Sequence, residues 1–469
     1  MSQELCYLSA NEALDLFKSR ELSPVELMAA LIQRSEVEES KINAFSHTFF
    51  EQAMEQARAS EIRYGKGEPQ GVLDGIAVAI KDEVDVEGQP NTEGSLIYQH
   101  RVAEEDAILV ARLRREGAIF HARTTCPEFC SLWSTTSRLF GVTRNPFNLA
   151  MTPGGSSGGS GASLAAGTST LASGSDIGGS IRFPAAMCGL VGYKPPYGRV
   201  PESYAPFNQE PYCANGPMAR TVADAALMQN VISGYHYQDS ASALSKVDIP
   251  LSFPDSLKGK RLAFSMDFGY LDLEPDIIRN TLEMVELLRS LGAEVVEVET
   301  KWPDDIEWAY NAHMDQLFGS SLSSQLELHR DLMCDYNIRL AEESLERKSG
   351  EGDYYKAACI ESDMYKVFGG LMEEFDAFIC PTTCSTNMKA DFNPSIDEYL
   401  VNGKALDYDL LFSTCHIFNM MGRCPALSVP SGLGDNGVPT GLHISSKAND
   451  DIAVFRVAAA LESIQRENK

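Results

Sequence analysis

The stretch TPGGSSGGSGASLAAGTSTLASGSDIGGSIRFPAAMCGLVGYKP, residues 152–195, carries the strongest signal in the chain. Its glycine and serine content would suit a flexible linker. A linker, however, is not interrupted by LAAG and STLAS, nor followed at once by the apolar run IRFPAAMCGLVGY. Small and apolar residues in that order pack closely. Glycine also lets a loop bring several backbone N–H groups to one point. The stretch therefore reads as a packed loop that bears chemistry. A phosphate-binding loop needs a lysine after its glycines, and GGSSGGS has none. Gly154 to Gly158 match G-x-S-x-G, the nucleophile elbow, but Pro153 interrupts the strand that such an elbow requires. The elbow also needs a histidine downstream, and neither His416 nor His443 has an obvious acid partner.

Outward from this centre, helix and strand signals alternate. In SPVELMAALIQRSEVEE, Ser23 is an N-cap, Pro24 the first helical residue and Glu26 the third, a capping box ahead of Leu27, Leu31 and Ile32. DAILVARLRREG places Leu109 and Leu113 on one helical face and stops at Gly117, and the apolar AIFHA that follows reads as a buried strand. A helix from about Pro275 ends at Gly292, ahead of the alternating strand AEVVEVE. This recurring grammar predicts an α/β fold, a mixed and mostly parallel sheet with helices on both faces. Residues 300–375 read as a helical cap or insert, and the catalytic core as about 65–235 and 376–462 of a single domain spanning 1–469.

Composition narrows the function. The 469 residues carry 66 acidic and 39 basic side chains, a net charge of −27. A surface so acidic repels phosphate backbones, which argues against nucleic-acid binding. No apolar run reaches the roughly 20 residues that span a bilayer, and the acidic N-terminus MSQELCYLSANEALDLF lacks the plan of a signal peptide. The expectation is a cytoplasmic protein with no membrane partner, with a homodimer left open. Eleven scattered cysteines, with no CxxC pair, read as reduced thiols.

GGSSGGS, DIGGSIRFPA and CGLVGYKP, in that order and separation, closely resemble the amidase signature family. GVLDGIAVAIKDEVDVEG resembles its lysine-bearing segment, with Lys81 in the IKD triplet. GVTRNPFN (141–148), GPMARTVADAAL (216–227), CPALSVPSGL and GVPTGLHI are similar to flanking motifs, so the resemblance spans about residues 8–462. The family commonly has Gln where this chain has His443, and Thr where it has Ser175 and Ile177.

The resemblance implies that Ser180 is the nucleophile and that Ser156, behind a cis peptide bond, bridges it to Lys81. It also implies that the N–H groups of Ile177, Gly178, Gly179 and Ser180 form the oxyanion hole, and that Asp176 and Arg182 hold the loop in shape. No metal or organic cofactor is implied. Lys81 must be neutral to act as a base, and burial favours neutrality because the ammonium loses hydration. GIAVAI, before Lys81, reads as the buried strand that delivers it.

The implied reaction is cleavage of a C–N bond in a small amide, anilide or carbamate, with esters also in reach, through an acyl-enzyme. Two alternatives stand beside it: the amidase subunit of an amidotransferase that deamidates glutamine, and a silent binding protein on the same scaffold. No arginine motif for an amino-acid carboxylate is evident around LMCDYNIRLAEESLE. For substrate contacts the expected residues are Cys126, Tyr204, Phe207, Met314 and Phe318, with Trp308, Tyr310 and Met333 nearby. These would make an apolar pocket.

Overall fold

The computed structural model describes residues 2–204, 207–347 and 349–467. Eleven strands form one sheet: β1 (Phe45–Thr48), β2 (Val78–Lys81), β3 (Ala122–Thr124), β4 (Leu171–Asp176), β5 (Val191–Lys194), β6 (Ala214–Ala219), β7 (Arg261–Phe264), β8 (Glu294–Glu297), β9 (Ala377–Pro381), β10 (Ala426–Leu433) and β11 (Pro439–Ser445). Their spatial order is β1-β3-β2-β4-β6-β5-β10-β11-β9-β7-β8.

Pairing is mixed. Parallel contacts join β3 to β2 and β2 to β4 on one flank, and β9 to β7 and β7 to β8 on the other. The strands between them, from β4 across to β9, pair antiparallel. The parallel character expected from helix–strand alternation thus sits in the two flanks, where helices make the crossovers. In the centre the short turn between β10 and β11 makes a hairpin instead.

Both faces of the sheet are covered. In β9, Ala377 and Ile379 enter a core packed by helices Val222–Ile232, Pro275–Ser290 and Asp451–Glu467. Phe378 and Cys380 point the other way, into a core with Phe183, Tyr310, Phe368 and Phe418. Side chains alternate across a strand, so burial on both sides demands the near-continuous apolar runs seen here. Each fully buried Leu, Ile or Phe contributes about 1.5–3 kcal/mol.

Local signals hold closely. The capping box of Ser23 and Glu26 starts helix Pro24–Ile42, and Gly117, at φ +87°, follows helix Ile108–Arg115. The run AIFHA differs from expectation. Its ladder begins only at Ala122, and Ile119 makes a single parallel bridge to Ala77. Residues 306–371 are largely helical, with one widened turn at Asp315–Gly319. All eleven cysteines are free thiols. Among the described residues no helix is long and apolar enough to cross a membrane.

Candidate active site

Strand β2 is buried along its whole length and ends in Lys81, whose side chain is fully removed from solvent. Its backbone N–H donates to Ser173 Oγ at 3.0 Å, which ties β2 to β4. The ammonium donates to Ser156 Oγ at 2.8 Å and to Ser175 Oγ at 2.8 Å. The third neighbour is Glu83, with Oε1 3.0 Å from Lys81 Nζ. The lysine thus pairs with Glu83 rather than with the adjoining Asp82, whose carboxylate accepts from Thr92 and from the N–H of Gly94.

Ser156 lies in the glycine-rich run, and its peptide bond to Gly155 is cis. This run is tightly packed. A Cβ on Gly159 would stand 2.5 Å from Thr125 N and 2.6 Å from Thr125 O, and one on Gly155 would stand 2.5 Å from Leu132 O. The glycines here make room for neighbouring backbone. The run is also fastened to the nucleophile loop, because Ser157 N–H donates to Ser180 O at 3.1 Å.

Residues 177–180 leave the end of β4 as a short loop. Asp176 closes it, accepting from the N–H groups of Ile181 (3.1 Å) and Arg182 (3.3 Å) and from the Arg182 guanidinium (2.8 and 3.0 Å). Burial alone would raise the Asp176 pKa. Arg182, with help from Asn419, overcomes it and holds the carboxyl well below the usual carboxylate range. Arg182 also donates to His443 Nε2 at 3.0 Å. His443 is held neutral, first by burial and then by that guanidinium, so its proton sits on Nδ1, facing Cys380 Sγ at 3.5 Å. Among the described residues, no hydrogen bond takes the N–H groups of Ile177, Gly178, Gly179 or Ser180. They remain available to an oxyanion.

The electrostatics of Lys81 run against the neutrality expected of a buried lysine. Burial does favour loss of its proton, but Cys130, Glu83 and Cys126 act the other way, and the net direction is upward. Burial holds the Cys130 thiol protonated, and Cys130 and burial together hold Cys126 so. At neutral pH the attraction therefore comes from the Glu83 carboxylate, which Lys81 in turn keeps ionised against burial. Glu83 is brought back to Lys81 by the turn that follows the strand, closed by the Val84 N–H donating to Lys81 O at 3.0 Å, and the sequence carried no signal for it.

Ser156 and Ser180 both line a cleft of about 1020 Å³, together with Glu83, Ser175, Glu202, Tyr204 and Asn215. A second lobe of about 750 Å³ opens on the other side of Ser180 and contains Trp133, Tyr310, Met314, Leu340 and Leu410. Cys130, Ile177, Ser180 and Phe318 border both lobes. The Ser180 hydroxyl makes no hydrogen bond among the described residues, so contact with Ser156 is through the shared cleft wall.

Of the expected substrate contacts, Tyr204 lines the first lobe, Met314 the second, and Phe318 both. The side chain of Phe207 lies outside the described residues. Cys126 requires correction: it is 1% exposed and sits behind Cys130, which reaches the cleft in its place. The cause is local backbone. Phe129 and Cys130 both have left-handed φ, 55° and 57°, and turn the second thiol outward.

Comparison with known proteins identifies the family. The amidase family model matches residues 26–455. An acylamidase of Rhodococcus erythropolis is 33% identical over 470 residues, covering 99% of this chain and 96% of the relative. One of the subunits of the glutamyl-tRNA(Gln) amidotransferase from Salinispora tropica is 34% identical over 492 residues, covering 98% of each. Among solved structures, a bacterial aryl acylamidase of the amidase signature family superposes with a TM-score of 0.89 at 28% identity, over 97% of this chain and 96% of that one. With motifs, fold and relatives in agreement along the whole chain, this protein belongs to the amidase signature family of amide-hydrolysing enzymes.

Proposed function

We propose that the chain hydrolyses small amides, anilides or carbamates through Ser180, Ser156 and Lys81 by way of an acyl-enzyme. The observation that carries this is the 2.8 Å hydrogen bond from a fully buried Lys81 to Ser156 on the wall of the cleft that also holds Ser180. An amine in that position can take a proton from a serine relay and return it, so no histidine is needed.

In this reading Ser180 Oγ attacks the carbonyl carbon while its proton passes through Ser156 to deprotonated Lys81. The N–H groups of 177–180 receive the oxyanion. Collapse breaks the C–N bond as Ser156 hands the proton to the leaving nitrogen, and water then releases the acid from Ser180 by the reverse relay. Glu83 holds the resting Lys81 protonated, which sets the pH at which the base becomes competent.

The two lobes take different halves of the substrate. The leaving nitrogen must lie within reach of Ser156, and Ser156 lines the first lobe but not the second. The amine portion therefore occupies the first lobe. The acyl portion occupies the second, whose Trp133, Tyr310, Met314 and Leu410 suit an apolar group.

Kinship with amidotransferase subunits raises glutamine as a second substrate. A free amino acid needs a cation for its carboxylate. Among the described residues lining the two lobes the one guanidinium is Arg347, already held by Asp315 at 2.7 Å. Small neutral amides are favoured over glutamine for that reason.

A fluorophosphonate probe followed by peptide mass mapping tests the assignment. Modification at Ser180, lost in Ser180→Ala, is the expected result, and labelling elsewhere would overturn it.

A further inference from the structure

The wall of the first lobe formed by Glu202 and Asn215 is built of hydrogen-bond acceptors. Asn215 stands in β6 directly opposite Ser175 of β4, and Ser175 is bonded to Lys81. Side chains on directly opposed residues of adjacent strands are near neighbours, about 4.5–5.5 Å apart at Cβ. The Asn215 amide is oriented by its Nδ2, which donates to a carboxylate oxygen of Glu202. Among the described residues its Oδ1 has no hydrogen-bond partner, although Asn215 is only 7% exposed. A buried carbonyl left without a donor is destabilising, so such a group asks for a ligand.

Glu202 stands beside it. One oxygen accepts from Tyr204 N–H at 2.9 Å and the other from Asn215. The charged groups around Glu202 are themselves mostly acidic. Asp239 accepts from its backbone N–H at 3.0 Å, and Glu83 lines the same lobe. The nearby cations are already paired, Lys81 with Glu83 and Arg101 with Glu93. Burial first, with Glu83 adding to it, pushes Glu202 up to about 7. A cation bound here would draw that proton off and complete the pair.

We infer that the first lobe selects amides whose leaving amine carries a second, cationic donor, a primary or secondary ammonium seated between Glu202 and Asn215 Oδ1. The inference rests on the placement of the leaving amine in this lobe. The chemical class is the mono-N-acylated aliphatic diamine: the acylated nitrogen meets Ser156, and the free ammonium meets the acceptor wall. A leaving amine that bears a carboxylate would face Glu202 and Glu83 and be rejected by like charge.

The test compares amides of one short apolar acid with three sets of amines: α,ω-diamines of two to five carbons, the n-alkylamines of matching length, and the matching ω-amino acids. For at least one length the wild-type kcat/KM for the ammonium compound exceeds that of its neutral match by about tenfold or more, the return of one charge-assisted hydrogen bond. The carboxylate series is poorest. Free diamine inhibits competitively at lower concentration than the alkylamine does. Glu202→Gln and Asn215→Leu bring the ammonium-to-neutral ratio, taken within each variant, close to one. Equal turnover of ammonium and neutral amides at every length, together with equal inhibition by their amines, overturns the inference. The wild-type series decides the matter alone if either variant fails to fold. Neutral amides would still be cleaved and Ser180 still labelled in that case, so this failure is distinct from failure of the proposed reaction.

Discussion

The Asp176 carboxylate and the Arg182 guanidinium meet at 2.8 Å with neither side chain exposed to solvent, and the loop carrying Ser180 runs between them. The pair is a clasp across six residues. Asp176 also takes the N–H groups of Ile181 and Arg182, so the backbone on the far side of the loop is pinned to the strand on the near side. The four N–H groups of residues 177–180 are kept out of helix and strand by this closure.

Breaking the clasp by removing one partner leaves the other charge buried and unpaired. Asp176→Asn is expected to cost about 3–5 kcal/mol in chemical denaturation and to reduce turnover with it. The sign of the acid limb follows from the depressed Asp176 carboxyl. Its contribution to stability is present above the pKa of an unfolded aspartate and is lost as pH falls through the lower folded value. Asp176→Asn should therefore flatten the acid side of the wild-type stability curve.

The pairing of Lys81 with Glu83 predicts a pH profile. A base works in its deprotonated form, and Glu83 holds Lys81 above its ordinary value, so kcat/KM should climb with pH on the alkaline side. Glu83→Gln removes one of the groups that raise Lys81, leaving burial to act downward against Cys130 and Cys126 alone. The rising limb should then move to lower pH. A limb that stays put or moves up in Glu83→Gln would separate Glu83 from the base.

Ser180→Ala and Lys81→Ala should each lower kcat by about 10⁴-fold or more on a good amide substrate. The double variant should lose little beyond the worse single one, because residues that act as a unit are not additive. Substantial turnover in either single variant, measured against a mock-purified control, would rule out the relay.

Gly159→Ala tests whether the serine-glycine run is packed or pliant. The new methyl would meet the backbone of Thr125 at 2.5–2.6 Å, which cannot yield as a side chain tip can. A loss of at least about 1–3 kcal/mol is expected, the ordinary cost of overpacking. A neutral result in thermal unfolding would mean that the helix Gly158–Ala165 moves freely against β3.

Much of this site can be read from the chain because its chemistry is local. Lys81 ends an apolar run, Ser156 and Ser180 sit in one unusual block, and the capping box of Ser23 and Glu26 needs only four residues to declare itself. Other parts depend on tertiary neighbours. Asn215 faces Ser175 only because β6 pairs antiparallel with β4, and nothing within ANGP announces that partner. Cys126 and Cys130 differ in access because of two left-handed residues in a stretch containing no glycine. The charge on Lys81 differs from the sequence expectation for a related reason. Burial is legible in GIAVAI, whereas the carboxylate that opposes it declares itself only once the strand end and the chain beyond it are folded together.

The reacting groups and much of the pocket around them draw on separate parts of the architecture. Lys81 and Ser175 stand at the ends of adjacent parallel strands, and the lysine ties Ser156 to that edge, so the chemistry is set by the register of the sheet. Tyr310, Met314 and Phe318 come instead from the helical layer, which touches the nucleophile loop through the hydrogen bond from Tyr310 to Ile177 O. Residues 306–347 give Ser321, Leu322 and Gln325 to the first lobe, Met314 and Leu340 to the second, and Phe318 to both, so exchanging them between relatives should change which substrates are accepted while the cleavage step is inherited. A scaffold so divided can acquire new substrates by substitution in one layer without relearning how to break the bond.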